Sequence, residues 1–267
     1  MNLWATYPAW QNYSSLFREA TAAQEAKTGM EKSHHLTASL YFGIAALEAF
    51  LNDKMRAHLT ATNSEDEILD VLRKGEIISK LRKWPGALLG KSLNVKDETL
   101  DLIIFFNDVR GNLTHPKTHG QDIYADLATV DPISVVDSVA EYIVRFHEAE
   151  RTTFPYWLFG WNYLNPRPDS YEIFLINDQQ FCFSLEALGF QVPAAHGGEA
   201  WWDQYLRTFE GYLVVRHCLV ALDRCEPKSA LFPFKPILCR RWWTSEHHRS
   251  CGHVTAKVIG ADRHDGP

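Results

Sequence analysis

The most constraining feature of the sequence is a long apolar stripe between residues 33 and 55. Large apolar side chains recur there every three or four residues, which places them on one face of an α-helix. The segment SLYFGIAALEAFLN is apolar on nearly every side, with Glu48 as its one acid. The sequence therefore predicts a core helix, capped by Ser33 and covered by several neighbours. The stripe consists of Leu36, Leu40, Ile44, Leu47, Leu51 and Met55.

Further helices are predicted on both sides of this core helix. One is expected to start near Ser64 and to stop by Trp84, because Pro85 and Gly86 cannot continue it. The last opens with a favourable Asp131 cap before a proline. With the core helix, these segments predict an all-α bundle over residues 10–153. The flanking helices cover residues 10–30, 64–84, 97–113 and 131–151. Asp97 is the predicted cap of the third of them.

The composition changes at Phe154, where aromatic and turn-forming residues become frequent. The run YEIFLINDQQFCFSL contains two β-prone stretches around Asn177 and Asp178, which predicts a hairpin. Residues 199–225 return to helical periodicity, and residues 245–267 are typical of a polar tail. The predicted fold is mainly α: a bundle over residues 10–153 followed by a smaller α+β region over residues 154–267.

Charge and apolar pattern narrow the classes of function. The net charge is −6, with 16 Lys and Arg against 21 Asp and Glu in residues 1–154 and 11 against 12 afterwards. This balance disfavours a non-specific nucleic-acid coat protein, although a small basic pocket remains compatible with it.

No basic leader precedes an apolar core, and no apolar run approaches a membrane span, so a cytoplasmic protein is expected.

Metal and cofactor sites are not expected from the motifs. Five cysteines without a Cys-x-x-Cys pair disfavour a disulfide framework and are typical of reduced, buried thiols. No glycine-rich phosphate loop or His-Glu-x-x-His helix occurs. The cysteines and histidines near the end of the sequence are spaced too irregularly to predict a zinc site. The tryptophans of the second half are more typical of side chains that fill a core than of side chains that stack on bases. The cysteines and histidines near the end are Cys239, His247, His248, Cys251 and His253.

The residues best suited to chemistry lie where the 97–113 helix runs into VRGNLTHP. Arg110 supplies a permanent cation, and His115 supplies a group that titrates near neutrality. Pro116 fixes the end of the helix. A helical wheel places Asn107, Arg110, Gly111, Thr114 and His115 on one polar arc. It predicts an opposite, buried face made of Leu102, Phe105, Phe106, Val109 and Leu113.

Gly111 lies between the cation and the imidazole on this wheel. A glycine within a helix costs roughly 1 kcal/mol relative to alanine, which invites a structural reason. Its missing side chain would let a second backbone or a ligand approach closely. The alternative is that Gly111 only loosens the helix end.

These residues resemble the HEPN superfamily, which consists of small helical bundles with an arginine followed after four to six residues by a histidine late in a helix. SLYFGIAALEAFLN is similar to the long second helix of such proteins, and IISKLRKWPGALLGKSL to their third helix and its loop. The resemblance covers residues 10–153. This chain departs from the common pattern at Gly111, where many members have a polar residue; Asn112 follows it here.

The resemblance implies a metal-independent endoribonuclease, a toxin or a defence factor, that works as a homodimer with two motifs facing one cleft. Arg110 would stabilise the charge on phosphorus and His115 would act as acid or base, leaving a 2′,3′-cyclic phosphate. Asn107, Asn112 and Thr114 are candidate binding residues, RNA is the expected partner, and an antitoxin protein is a further one. No cofactor is implied.

Two other interpretations stay open. The same polar arc could be a docking surface of a non-catalytic interaction module, or a small ligand could bind between the bundle and the second region. Glu48 could be a buried acid with a raised pKa, but a carboxylate in such a helix is more often the partner of a basic residue on a neighbouring helix. We expect the second role, with an arginine as the partner.

Overall fold

The core of the fold is the helix α2, Gly29–Leu59, which carries the apolar stripe. The computed structural model describes residues 7–115, 123–159 and 199–222. All six stripe residues are buried, as predicted. The helix begins four residues before Ser33, because Thr28 caps it: the Thr28 hydroxyl accepts a hydrogen bond from the Glu31 N–H at 3.1 Å. A polar first turn at the surface thus extends the predicted helix.

The first helix, α1 (Pro8–Glu25), packs along α2. The three-residue connection between them makes the pair antiparallel. Gly43 brings α2 close to its neighbours. A Cβ at this position would lie 3.3 Å from a Val135 methyl, 3.5 Å from a Val139 methyl and 3.7 Å from a Leu16 methyl. The missing side chain therefore sets the distance between α2 and the neighbouring helices of the core.

The predicted 64–84 helix is wrong in two respects. It is two helices, α3 (Glu65–Arg73) and α4 (Ile77–Leu89), because Gly75 adopts a φ of +86° between them. The expected start at Ser64 is confirmed, and the Glu67 carboxylate accepts a hydrogen bond from the Ser64 N–H at 2.8 Å. The predicted stop at Trp84 fails, since α4 continues through Pro85.

Pro85 is tolerated in α4 because a distant side chain replaces the hydrogen bond that proline removes. A proline at position 85 cannot donate to the carbonyl four residues earlier, which is that of Leu81. The Tyr142 hydroxyl donates to this carbonyl at 2.8 Å in a buried contact. Burial also raises the pKa of Tyr142. The carbonyl that would otherwise be unsatisfied inside the protein has a partner.

Three helices complete the bundle: α5 (Asp97–Thr114), α6 (Ile123–Ala128) and α7 (Pro132–Glu150). Helix α6 was not predicted. The predicted Asp131 cap is confirmed, because its carboxylate accepts hydrogen bonds from Ile133 and Ser134 N–H at 3.3 Å each. The α7 helix ends at Glu150 with Arg151 as its C-cap, close to the predicted end at residue 151. Helix α5 packs against α7, α2 and α6.

The described part of the second region adds a short 3-10 helix, Tyr156–Phe159, and two helices, α8 (Glu199–Tyr205) and α9 (Phe209–Leu222). Leu206, Phe209, Tyr212 and Val215 join the hydrophobic core of the bundle. Arg216 of α9 also pairs with Asp137 of α7 at 2.6 Å. The helical periodicity predicted for residues 199–225 is confirmed as far as Leu222.

The described part of the chain is mainly α-helical, and residues 7–115, 123–159 and 199–222 contain no β-strand. The predicted hairpin around Asn177 and the predicted polar tail lie outside these residues, and the domain boundary at residue 154 stays a prediction. None of the described helices combines the length and apolar character needed to cross a bilayer.

Candidate functional site

The candidate site is built on the last two turns of α5. The helix ends at Thr114, and His115 is its C-cap, with φ −133° and ψ 76°. The His115 backbone N–H donates to the Gly111 carbonyl at 2.8 Å, which closes the final turn. The helix thus ends one residue beyond the predicted range 97–113, and its cap residue immediately precedes Pro116 in the sequence.

Arg110 is half-buried and is restrained by contacts from both α5 and α2. Its Nη2 donates to the Asn107 Oδ1 at 3.0 Å, one turn earlier on the same helix. Its guanidinium carbon lies 6.0 Å from the centre of the Tyr41 ring on α2, the outer limit of a cation–π contact. The Thr114 hydroxyl donates to the Arg110 carbonyl at 2.9 Å and also forms a hydrogen bond with the Tyr41 hydroxyl. The guanidinium is therefore held by Asn107 on its own helix and bordered by the Tyr41 ring of α2.

Arg110 differs from the other half-buried arginines of the described residues. Each of the other four has a carboxylate oxygen 2.6 to 2.8 Å from a guanidinium nitrogen. No carboxylate of residues 7–115, 123–159 or 199–222 lies within 4.0 Å of the Arg110 guanidinium. Its positive charge is thus not neutralised by an ion pair there, and its fork of N–H donors suits an anionic ligand. The four paired arginines are Arg56, Arg145, Arg207 and Arg216.

His115 is exposed at the end of α5. Its ring makes no hydrogen bond or ion pair within the described part of the chain. The structure thus brings Asn107, Thr114 and Arg110 into direct contact and leaves the imidazole of His115 at the adjacent helix end. Asn112 is half-buried and does not bond to Arg110. The functional roles of all five residues stay predictions.

The buried face of α5 is rotated from the predicted one. Phe106 and Val109 are buried as expected, but Leu102 and Phe105 remain 37% and 36% exposed. Ile103 and Thr99 are buried instead. The Thr99 hydroxyl donates to the Glu141 carboxylate of α7 at 2.7 Å, which links the start of α5 to α7.

Gly111 has open space where a side chain would be. A Cβ at position 111 would have no heavy atom of a described residue within 4 Å, apart from its own helical turn. Among the described residues, no second backbone approaches this glycine. A ligand at this position, or a looser helix end, stays open.

Gly111→Ala separates these two alternatives. Because the helix geometry at 111 accepts a Cβ without contact, alanine should raise the free energy of unfolding by roughly 1 kcal/mol through its higher helix propensity. Denaturant titration followed by circular dichroism measures this change. If a ligand approaches Gly111, the same variant should also bind or process that ligand more weakly. An unchanged ligand response would leave only the looser helix end.

Glu48 bridges two helices, as expected, but its partner is a lysine. The ammonium of Lys80 on α4 lies 2.8 Å from the Glu48 Oε1. It also donates to the Leu72 carbonyl at 2.7 Å and to the Asn52 side chain at 3.2 Å. Lys80 is only 2% exposed, so these three acceptors supply what water would otherwise provide. The pair has a structural explanation and needs no catalytic one.

The remaining sequence candidates do not form a second site within the described residues. Trp157 is buried, with its ring 5.2 Å from that of Tyr13, and Trp201 and Trp202 pack half-buried against the core. No group of three potential metal ligands occurs in residues 7–115, 123–159 and 199–222. The Cys239 to His253 group and the aromatic residues Trp161, Tyr163, Trp242 and Trp243 lie outside them.

Tyr41 was not predicted as a site residue. It lies in an apolar run of α2, and 73 positions separate it from Thr114, whose hydroxyl it contacts. Nothing in the local sequence distinguishes it from a core residue.

Comparisons of the chain with family models, with curated proteins and with solved structures find no match.

Proposed function

We propose that this protein is a metal-independent endoribonuclease of the HEPN type, with Arg110 and His115 at its active site. The observation that carries the proposal is a half-buried guanidinium, held by Asn107 and by the ring of Tyr41, without a carboxylate partner among the described residues. A phosphate would supply the missing negative charge. The neighbouring helix end presents an exposed imidazole, which provides a group for proton transfer.

In the proposed reaction, phosphorus exchanges its bond to the 5′-oxygen of the following nucleotide for a bond to the 2′-oxygen of the ribose whose 3′-oxygen already carries it. The 2′-hydroxyl oxygen attacks phosphorus, its proton leaves to a base, and the bond to the 5′-oxygen breaks as that oxygen receives a proton. His115 would serve as the base or the acid, and a second copy of His115 across a homodimer cleft would take the other role. Arg110 would bind the equatorial oxygens as their charge grows. The products are a 2′,3′-cyclic phosphate and a 5′-hydroxyl.

The Arg110→Ala, His115→Ala double variant tests this proposal. We expect it to cleave single-stranded RNA at least about 100-fold more slowly than the unmodified protein, because charge stabilisation and proton transfer are both lost. Cleavage is measured on an end-labelled oligonucleotide with EDTA present, and the termini of the products are identified by mass spectrometry. Arg82→Ala, at an exposed position of α4, is the matched control and should cleave normally. Equal cleavage by the double variant would contradict the proposal.

A non-catalytic interaction module is the second candidate, and one surface favours it. Leu102 and Phe105 are partly exposed on α5, and three exposed acids lie at the three and four residue spacing that shares their face. A partner with an apolar patch edged by lysine or arginine would complement this surface. The acids are Glu98, Asp101 and Asp108.

The oligomeric state separates the two candidates. A two-motif cleft requires a homodimer, whereas a docking surface on α5 does not. Size-exclusion chromatography with light scattering gives the mass in solution. A strict monomer that leaves RNA intact would favour the interaction module, and an antitoxin-like partner would then be one protein to seek. A dimer that cleaves RNA would favour the nuclease.

A further inference from the structure

The Tyr41 side chain is partly exposed to solvent and is nevertheless held in place, and packing of the core does not explain this. Its neighbours on α2, Leu40, Gly43 and Ile44, are buried, yet its own residue is 38% exposed. The hydroxyl at the tip of the ring bonds to the Thr114 hydroxyl on α5, so the ring is fixed at both ends. A tyrosine that is tied in place but open to solvent loses little entropy when another flat group covers it.

The position of the ring beside Arg110 separates it from other exposed aromatic side chains. Within the described residues, Tyr7, Phe105 and Tyr124 are also exposed, but none of their rings lies near a cation. Among the described residues, the partly exposed Tyr41 ring thus borders a cation that has no ion pair, with the Arg110 guanidinium carbon over the ring at 6.0 Å from its centre. A nucleotide needs this pair of groups, one for its base and one for its phosphate.

We infer that Tyr41 is a stacking platform for the nucleobase next to the phosphate held by Arg110. The inference rests on the proposed function and names its substrate class, which is single-stranded RNA. A base inside a duplex is stacked on both sides and cannot reach the ring, whereas an unpaired base can. Since every base has a flat face, the platform accepts all four bases with modest differences in strength.

Binding measurements on Tyr41 variants test this inference in a His115→Ala background, which prevents loss of the probe by cleavage. The probes are a fluorescent single-stranded oligoadenosine and the same ribose-phosphate backbone with its central bases removed. Stacking is worth about 1–3 kcal/mol per base, so Tyr41→Leu should weaken binding of oligoadenosine by roughly 5- to 150-fold. Binding of the abasic strand should change less than about 3-fold, because Arg110 still holds its phosphate.

Two further variants separate the ring from its hydroxyl and from general effects. Tyr41→Phe keeps the aromatic face but loses the hydroxyl bond to Thr114, so it should still bind oligoadenosine more tightly than the abasic strand and should weaken oligoadenosine binding less than Tyr41→Leu does. Tyr7→Leu changes an exposed tyrosine before α1 and should have no effect. Equal weakening for both probes in Tyr41→Leu would overturn the inference, because Tyr41 would then act only by supporting Arg110. Absence of oligoadenosine binding by the unmodified site would overturn it as well.

The outcomes also distinguish this inference from the proposed function. Base-dependent binding through Tyr41, without cleavage by the unmodified protein, would support the platform and reject the nuclease. Cleavage that depends on Arg110 and His115 but not on Tyr41 would support the nuclease and reject the platform.

Discussion

Gly211→Ala should lower the free energy of unfolding by at least about 3 kcal/mol. A Cβ at position 211 would lie 2.4 Å from the Gln204 carbonyl oxygen, 2.6 Å from the Tyr205 Cα and 2.7 Å from the Tyr205 carbonyl carbon. All three are backbone atoms, so no side-chain rotation can make room. Either α8 or the first turn of α9 must move, and α9 carries Tyr212 and Val215 into the core.

The loss is measured by urea denaturation followed by circular dichroism, and limited proteolysis reports whether α9 detaches first. Gly29→Ala is the matched control, because a Cβ there would have no heavy atom of the described residues within 4 Å. That variant should be at least as stable as the unmodified protein. A Gly211→Ala loss below about 1 kcal/mol would show that the two helices do not meet as closely as the structure describes.

The second large effect is a loss of stability in acid, which we expect from protonation of His147 near the end of α7. The side chain is 12% exposed, and its Nδ1 lies 2.9 Å from the Thr152 hydroxyl. Burial and, second, the positive charge of Lys54 lower the pKa of His147 from 6.5 to about 3, although the negative charge of Glu150 acts in the opposite direction. Lys54 itself pairs with Glu150 at 2.6 Å. The folded protein therefore keeps this imidazole neutral in mild acid.

The stability consequence follows from proton uptake by the unfolded chain. Below pH 6.5 the unfolded state binds a proton at His147 that the folded state accepts only near pH 3, so stability falls as the pH decreases through this interval. Each pH unit of the interval costs about 1.4 kcal/mol, which gives a loss of roughly 3 kcal/mol by about pH 4. Above the unfolded-state pKa this contribution to stability is fully present.

His147→Gln removes the titrating group and should flatten this part of the pH profile. The free energy of unfolding is measured by denaturant titration at about pH 7, 5.5 and 4 for both proteins, and the difference between the two ends should be smaller in the variant by roughly 3 kcal/mol. The exposed His58→Gln is the control and should leave the profile unchanged. Parallel profiles for His147→Gln and the unmodified protein would contradict the prediction.

Features set by local chemistry could be predicted from the sequence. The stripe on α2 follows from helical spacing, and both ends of α7 follow from capping at Asp131 and from the polar run after Phe146. The end of α5 follows from the proline after His115. In each case the deciding residues lie within one or two helical turns, so the pattern and the structure depend on the same contacts.

Features set by contacts between distant segments could not be predicted in this way. The break between α3 and α4 depends on Gly75, which a helical pattern also tolerates, and the passage of α4 through Pro85 depends on Tyr142. The buried face of α5 is set by its packing against α7, α2 and α6, and it includes the contact between Thr99 and Glu141 of α7. Local propensity is a weak guide wherever tertiary packing decides.

In the candidate site, too, contacts within one helix could be predicted from the sequence, and contacts between helices could not. Arg110 and Thr114 are four residues apart on one helix, so their proximity could be predicted from spacing alone. The contact with Tyr41 crosses between helices, and no periodicity within either helix indicates it. Likewise, the open space around Gly111 depends on which segments pass nearby, which the sequence pattern does not specify.

Completion of α4 requires the docking of a helix that comes much later in the chain. The Leu81 carbonyl obtains its hydrogen bond from Tyr142, 61 positions away. A 13-residue helix interrupted by proline is marginal by itself in water. We therefore expect α4 to acquire its full length only after α7 has packed, so that protection of its amides from hydrogen exchange reports the assembly of the bundle rather than local helix formation.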